Sequence, residues 1–374
     1  MNRLRKVFTP EVTTRMYGLT HLELDRDLCN LTESIGMYDT KTAWMMMCPI
    51  LLVLGTVTGV INLMVLTRRK IRKNSSAMFF IALAVADLIV LHTGLTRQWL
   101  IYSFDLDIRM KNNFLCKTNY FIVYLSLQMS SWTLVLITIE RMIVVQFPYK
   151  AKVLCTRTRA LSAILFIFLV LFLVNMHSLI GGDITTTTNS FNSTTYVVCG
   201  GITEHYHTFR RYYWGWIDLL IFCVLPSCII LALNTIIIVK LTKRYRTRRK
   251  TLPAHIIHSS RRQMSFENFT KSWTSTISLL ILLDAWFIVC TLPVCVVLVL
   301  YNWCAWFQSE DEIKLVWVTT NILMYSNNTF NFFLYCISGS KFREELKDIF
   351  YQCFGYRAAV SRTDYSVPNQ PLRF

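Results

Sequence analysis

Over 374 residues the chain has 53% apolar side chains and 16% charged ones, far below the roughly 25% charge of soluble domains, which excludes an ordinary pair of water-soluble domains. The formal net charge of +17 gathers at the edges of apolar blocks, so it reads as a topology signal and an attraction to anionic lipid, not as a nucleic-acid footprint. The 12 cysteines are too scattered for a disulfide-stapled miniature domain.

Residues 1–43 have no apolar core and read as an outer tail without a cleavable leader, the first span serving as the targeting signal. A bilayer core needs about 20 apolar residues in a helix. Residues 44–66, 118–139, 160–180 and 315–337 meet that length without a charge, and 77–96, 212–239 and 274–300 carry one acid each, Asp87, Asp218 and Asp284. Seven spans follow. Positive loops stay in the cytosol. Arg68, Arg69, Lys70, Arg72 and Lys73 follow the first span, Lys150, Lys152, Arg157 and Arg159 the third, and a basic stretch at 240–262 the fifth, while 160–209 holds no Lys or Arg. The N-terminus is therefore outside and the C-terminus inside. The predicted fold class is an all-α membrane protein, a seven-transmembrane helix bundle (44–338) followed by a short amphipathic eighth helix (339–353) and a cytoplasmic tail (354–374).

The sequons at Asn30 and Asn192 fall on the outer side and are the expected glycosylation sites. An oxidising exterior would let Cys116 and Cys199 pair, pinning the long outer loop over the bundle, and would let Cys29 and Cys304 form a second bridge.

Seven spans alone leave a transporter or channel open, but neither inverted repeats nor a polar track through the bundle is visible. The polar residues inside the spans narrow the reading. Span one has Asn62; span two reads Leu83-Ala84-Val85-Ala86-Asp87-Leu88. Span three opens at Cys116 and ends at Glu140-Arg141-Met142, with Pro148 seven residues on. Span five has Pro226, span six Phe287, Cys290 and Pro293, and span seven Asn331-Phe332-Phe333-Leu334-Tyr335. In this order, over roughly residues 44–355, the motifs resemble those of the rhodopsin-like (class A) family of G-protein-coupled receptors. The Asn-Phe-Phe-Leu-Tyr run is similar to a variant in invertebrate neuropeptide receptors, including those for FMRFamide-like peptides and myosuppressin. Departures are Thr291 for the span-six tryptophan, Asn234 for a span-five tyrosine, the missing span-four tryptophan, and Phe332 for the span-seven proline, which should leave that helix straighter.

The resemblance implies a plasma-membrane receptor, not an enzyme, whose sixth span swings outward to engage a heterotrimeric G protein. Glu140, Arg141, Pro148, Phe287, Pro293, Asn331 and Tyr335 are the coupling and activation residues it implies, with Glu140 restraining Arg141. Asp87, Ser130, Asn327, Asn328 and Asn331 correspond to the family's sodium and water cluster, with Asp87 as the metal ligand and a sodium ion as the allosteric modulator; no other cofactor is implied. Arrestin, receptor kinases and membrane lipids are the further partners.

Val123 stands where amine receptors keep an aspartate, and no lysine lies in 315–335 to hold retinal. An extracellular peptide is the favoured ligand, with a lipid or small chemosensory ligand as the alternative. Asp218, read as an unpaired acid in an apolar span, leads the ligand-binding candidates. Arg97, Gln98, Trp99, Val123, Tyr124, Trp216, Glu204 and Tyr301 accompany it, and Asp105 and Asp107 are further acids able to meet a cationic ligand. Asp284 reads as an interhelical contact. On the inner side, the basic loop at 242–270 is a G-protein contact, Phe342, Leu346, Ile349 and Phe350 are expected to face lipid, Cys353 is a palmitoylation site, and Ser361, Thr363 and Ser366 are available to kinases.

Overall fold

The computed structural model describes residues 40–72, 74–188, 195–251, 285–300, 310–338 and 340–353. Cys29, Asn30, Asn192, Asp284, Tyr301, Cys304, the inner stretch 252–284 and the tail after 353 lie outside the described residues, as do the side chains of Tyr335 and Cys353.

The apolar blocks become helices because only a helix satisfies every backbone group in hydrocarbon. They are α1 (Thr40–Leu66), α2 (Ser75–Phe104), α3 (Asn113–Gln146), α4 (Arg157–Gly181), α5 (Trp214–Arg244), α6 (Ala285–Leu300) and α7 (Glu310–Ser338), with α8 (Ser340–Cys353) behind them. The first five are each long and apolar enough to cross a bilayer. Local chemistry sets their ends. Asn112 starts α3 by accepting the Leu115 N–H at 2.8 Å, and Thr156 starts α4 by accepting from the Arg159 N–H. Asp105, at φ 51°, ends α2 in the left-handed conformation with its N–H returned to the Leu100 carbonyl.

Two spans contain a π-helical turn, Leu91–Leu95 in α2 and Leu219–Val224 in α5, and a third, Phe209–Tyr213, leads into α5. Such turns disturb the helical ladder and leave carbonyls open to side chains. In α5 the Ile221 carbonyl takes the Trp132 indole N–H at 3.0 Å, stitching α3 to α5 immediately before Pro226.

The helices pack by close approach, as expected where lipid removes the hydrophobic drive between them. A Cβ added at Gly59 would lie 2.7 Å from Leu88 Cδ2, so α1 and α2 meet nearly backbone to side chain there. An outer core joins Trp44, Leu91, Leu95, Phe222, Val294 and Tyr325; an inner core joins Val65, Met78, Phe79, Leu83 and Ile137. Large apolar residues such as Val53, Leu165, Phe166, Leu173 and Val289 are exposed on the outside of the bundle, where lipid would cover them.

Two features differ from the sequence expectation. Between α4 and α5 lies an antiparallel hairpin, β1 (Gly182–Thr188) with β2 (Thr195–Gly201), in register from Gly182 opposite Gly201 to Thr188 opposite Thr195. And α8 does not turn all of Phe342, Leu346, Ile349 and Phe350 to lipid. Phe342 is buried in the inner core, edge-on to Phe332 at 6.1 Å between centroids, and Leu346 and Ile349 pack against the same core; Phe350 alone of the four is exposed. The amphipathic stripe points at protein because α8 is clamped by charge: Glu345 meets Lys70 at 2.9 Å and Arg68 at 3.6 Å, and Asp348 meets Lys70 at 3.6 Å. The hydrogen bond and the charge of Glu345 raise the Lys70 ammonium above its ordinary value.

Candidate functional site

The polar groups inside the bundle fall into clusters at four depths. At mid-membrane, Asp87 accepts from Ser130 Oγ at 2.7 Å and Asn328 Nδ2 at 2.7 Å through Oδ1, and from Asn331 Nδ2 at 2.6 Å through Oδ2. One carboxylate thus ties α2 to α3 and α7, and its three donors hold the charge in a setting where an unpaired one would be costly. Asn327 is buried as well but does not bond Asp87. Asn328 Oδ1 is buried without a partner. A carboxylate, a hydroxyl and a spare amide oxygen are the donor types a hard cation prefers, so the residues fit a sodium ion.

One step outward, Asp218 is buried and bonded. Its Oδ1 accepts from Gln128 Nε2 at 3.0 Å, and Gln128 Oε1 accepts from Asn175 Nδ2 at 2.6 Å, which also reaches the Leu171 carbonyl at 2.8 Å. This chain of amides links α5, α3 and α4. The acid that looked unpaired in sequence has a partner 90 residues away. Beside it, Thr291 in α6 donates to the Phe287 carbonyl at 2.7 Å and lies 3.7 Å from Cys223 Sγ, so a hydroxyl contact between α5 and α6 stands where the family's tryptophan is missing.

The outer mouth is built on rings and guanidinium groups. Tyr120 stacks on Tyr124 at 6.4 Å, Tyr124 meets Trp214 edge-on at 5.5 Å, and His177 lies 4.1 Å from Trp214 and 5.4 Å from Phe209. His177 Nδ1 bonds the Tyr206 hydroxyl at 2.9 Å. Arg210 Cζ lies over the Tyr120 ring, 3.8 Å from its centre, and the side chain donates to the Cys199 and Gly200 carbonyls at 3.4 Å each. Arg109 lies 4.8 Å from the centre of the same ring and bonds its hydroxyl at 2.5 Å. The hairpin closes over this group because Cys199 is disulfide-bonded to Cys116 at the head of α3.

The candidate ligand residues divide. Tyr124 joins the ring cluster; Trp99 and Val123 pack against the outer core, Arg97 is half-buried and Gln98 is buried. Trp216 is exposed on the outside of α5, and Trp214 is the buried indole. Glu204 is exposed in the first turn of the short helix before α5. The loop acids are already engaged. Asp105 pairs with Lys41 at 3.6 Å, and Asp107 takes the Arg109 side chain through both oxygens and its backbone N–H at 3.0 Å. Burial works to raise the Asp107 carboxyl, but the Arg109 hydrogen bonds and charge outweigh it and hold it below its ordinary value. Gln128, Arg109, Arg210, Tyr120 and Trp214 were not singled out in sequence; the one signal was the polarity of Gln128 and Arg210 next to apolar or aromatic runs.

At the inner end, Glu140 accepts from Ser75 Oγ of α2, and Arg141 makes no ion pair among the described residues. The Glu140 carboxylate thereby fastens α3 to α2. Pro148 is exposed at the first position of a short helix, Pro148–Leu154, where its missing N–H costs nothing. Phe287 is buried, and α7 runs unbroken through Asn331 and Phe332.

Comparison with known proteins agrees with this architecture. The family described as 7 transmembrane receptor (rhodopsin family) matches residues 58–335. The galanin receptor type 2 of Rattus norvegicus is 30% identical over 115 residues, 31% of this chain and 30% of that receptor. The galanin receptor 2b of Danio rerio is 26% identical over 140 residues, 37% and 36% of the two chains. The thyrotropin-releasing hormone receptor of Gallus gallus is 30% identical over 191 residues, 46% and 42% of the two. Each match therefore spans less than half of the receptor it meets, and none of the three carries the name of an FMRFamide or myosuppressin receptor. With a family match that runs from within α1 to Tyr335 over helices packed around Asp87, the chain belongs to the rhodopsin family of seven-transmembrane receptors.

Proposed function

We propose that the chain is a plasma-membrane receptor with its N-terminus outside, activated by an extracellular peptide and signalling through a heterotrimeric G protein. The observation that carries the reading is the outer mouth: a ring cluster with guanidinium groups beneath a disulfide-held hairpin, a surface that offers stacking and charged hydrogen bonds to a peptide. The relatives named as galanin and thyrotropin-releasing hormone receptors support it. On the opposite side, Arg141 is without an ion pair among the described residues and is the natural contact for a G protein once α6 moves outward. Pro293 removes one backbone bond from α6 and eases that movement. Asp87, Ser130 and the spare oxygen of Asn328 are the groups that would hold a sodium ion, which when bound supplies positive charge to a closed bundle. Arrestin and receptor kinases would act on the inner surface and tail, with lipid around the helices.

The test is G-protein activation in cells expressing the full chain, read by loss of energy transfer between G-protein subunits, against a library of neuropeptides. A peptide response that survives at the cell surface in wild type and disappears in Arg141→Ala, with binding retained, is the expected result. Silence across the library at good surface expression would shift the reading to a lipid or small chemosensory ligand.

A further inference from the structure

Among the described residues of the outer mouth, guanidinium groups outnumber the carboxylates free to pair with them. Arg97, one residue past the π turn and its following Thr96 in α2, has a buried Nε with no hydrogen-bond partner, and its guanidinium makes no hydrogen bond or ion pair among the described residues. The charged and phenolic groups around it include Arg109, Asp107, Tyr102, Tyr120 and Tyr325. Asp107 is the one carboxylate in that set, and Arg109 already occupies both of its oxygens. Arg210 rests on the Tyr120 ring, donates to two backbone carbonyls, and makes no ion pair among the described residues. Every other described acid on this side is committed or exposed: Asp105 to Lys41, Asp183 to the Ile184 N–H at 2.8 Å, Asp218 to Gln128, and Glu204 on the surface.

A guanidinium buried without a counter-ion is costly, and one inside a membrane span is retained for a partner that arrives. Its planar fork suits a carboxylate or another oxyanion, which it binds through two parallel N–H bonds. We infer that the mouth is a receptor for an anionic group of the ligand, with Arg97 as its principal contact and Arg210 as the second. The inference rests on the ligand-receptor reading above and reverses the polarity expected from the loop acids: the ligand brings the negative charge, and the protein supplies the positive one. In a peptide that group is an acidic side chain or a free C-terminal carboxylate.

Two measurements test it. In the first, the full-length receptor is purified without ligand and its thermal unfolding compared with Arg97→Gln. A guanidinium lacking a counter-ion predicts that Arg97→Gln melts at the same or a higher temperature. A lower melting temperature means that Arg97 pairs with one of the chain's own acids, such as Glu310, Asp311 or Glu312, and overturns the proposal. In the second, cells are challenged with a synthetic peptide library in matched forms, each acidic residue as the acid or its amide and each C-terminus free or amidated. A panel of fatty and aromatic carboxylic acids and their primary amides is run beside it. Wild type should respond to the charged form roughly 10- to 100-fold more potently than to the neutral form, the strength of a hydrogen bond to an ion. Arg97→Gln should erase that difference without weakening the neutral form, and Arg97→Lys should restore part of it. Which form loses potency tells side chain from C-terminus. Equal potency of charged and neutral forms on wild type overturns the proposal. Silence to all peptides with a response to the free acids retains the anion site while ending the peptide reading; silence to both panels overturns the anion site too.

Discussion

Asp218 shows how far a single residue's meaning depends on its neighbours. In the sequence it is an acid alone in an apolar run; in the fold it is the end of a chain of amides through Gln128 to Asn175. The rotation of α3 that brings Gln128 to α5 is a property of packing, and no local pattern encodes it. Asp87 was legible because three separate spans each carry a polar residue in a motif, whereas Arg109 and Arg210 sit in connecting segments whose course the apolar pattern leaves open. The amide chain makes a prediction. Gln128→Ala or Asp218→Ala alone leaves a buried polar group without its partner and should cost about 1–3 kcal/mol of stability. The pair of changes should cost clearly less than the sum, because both remove the same bond. Thermal unfolding of the four receptors measures the coupling; strict additivity would mean that the two side chains act independently.

At the level of elements, length and hydropathy identified the membrane helices well, since burying a backbone in lipid demands an unbroken apolar run. The hairpin escaped because its strands are short and half polar. The β-branched run Thr185 to Thr188 facing Thr195 to Val198 was the available hint. The amphipathic stripe of α8 was legible, but not what it faces. Either lipid or protein satisfies an apolar stripe, and here the ion pairs of Glu345 with Arg68 and Lys70 turn Phe342 inward. Removing that ring should loosen α8. Phe342→Ala is expected to lose about 3 kcal/mol or more, read as a lowered melting temperature of the purified receptor, whereas Phe350→Ala, which trims an exposed ring, should change little. Equal losses would return the whole stripe to the lipid.

For the whole molecule, among the described residues, the outer half is held by a disulfide and two ion pairs and the inner half by the ion pairs of α8. The Cys116–Cys199 bridge ties the hairpin to the head of α3, and Arg210 ties it to the approach to α5. Losing the bridge should cost about 2–5 kcal/mol. Cys116→Ser, Cys199→Ser and the double variant should fall together in surface expression and thermal stability, since each breaks the same bond. A double variant much worse than either single would point to a second role for one of the sulfurs. The span-seven substitution has a consequence for the molecule as a whole. Phe332 leaves the α7 ladder intact, so 29 residues form one rod, about 44 Å long at 1.5 Å per residue. Midway along it Tyr325 lies against Gly94, with a Cβ at that glycine only 2.8 Å from its hydroxyl; seven residues further in, Phe332 lies against Phe342. A shaft without a joint cannot absorb a push at one end. A tilt imposed at Tyr325 is expected to reappear at Phe332, whose ring meets Phe342 beside the Glu345 clamp, so α7 and α8 should move as one body.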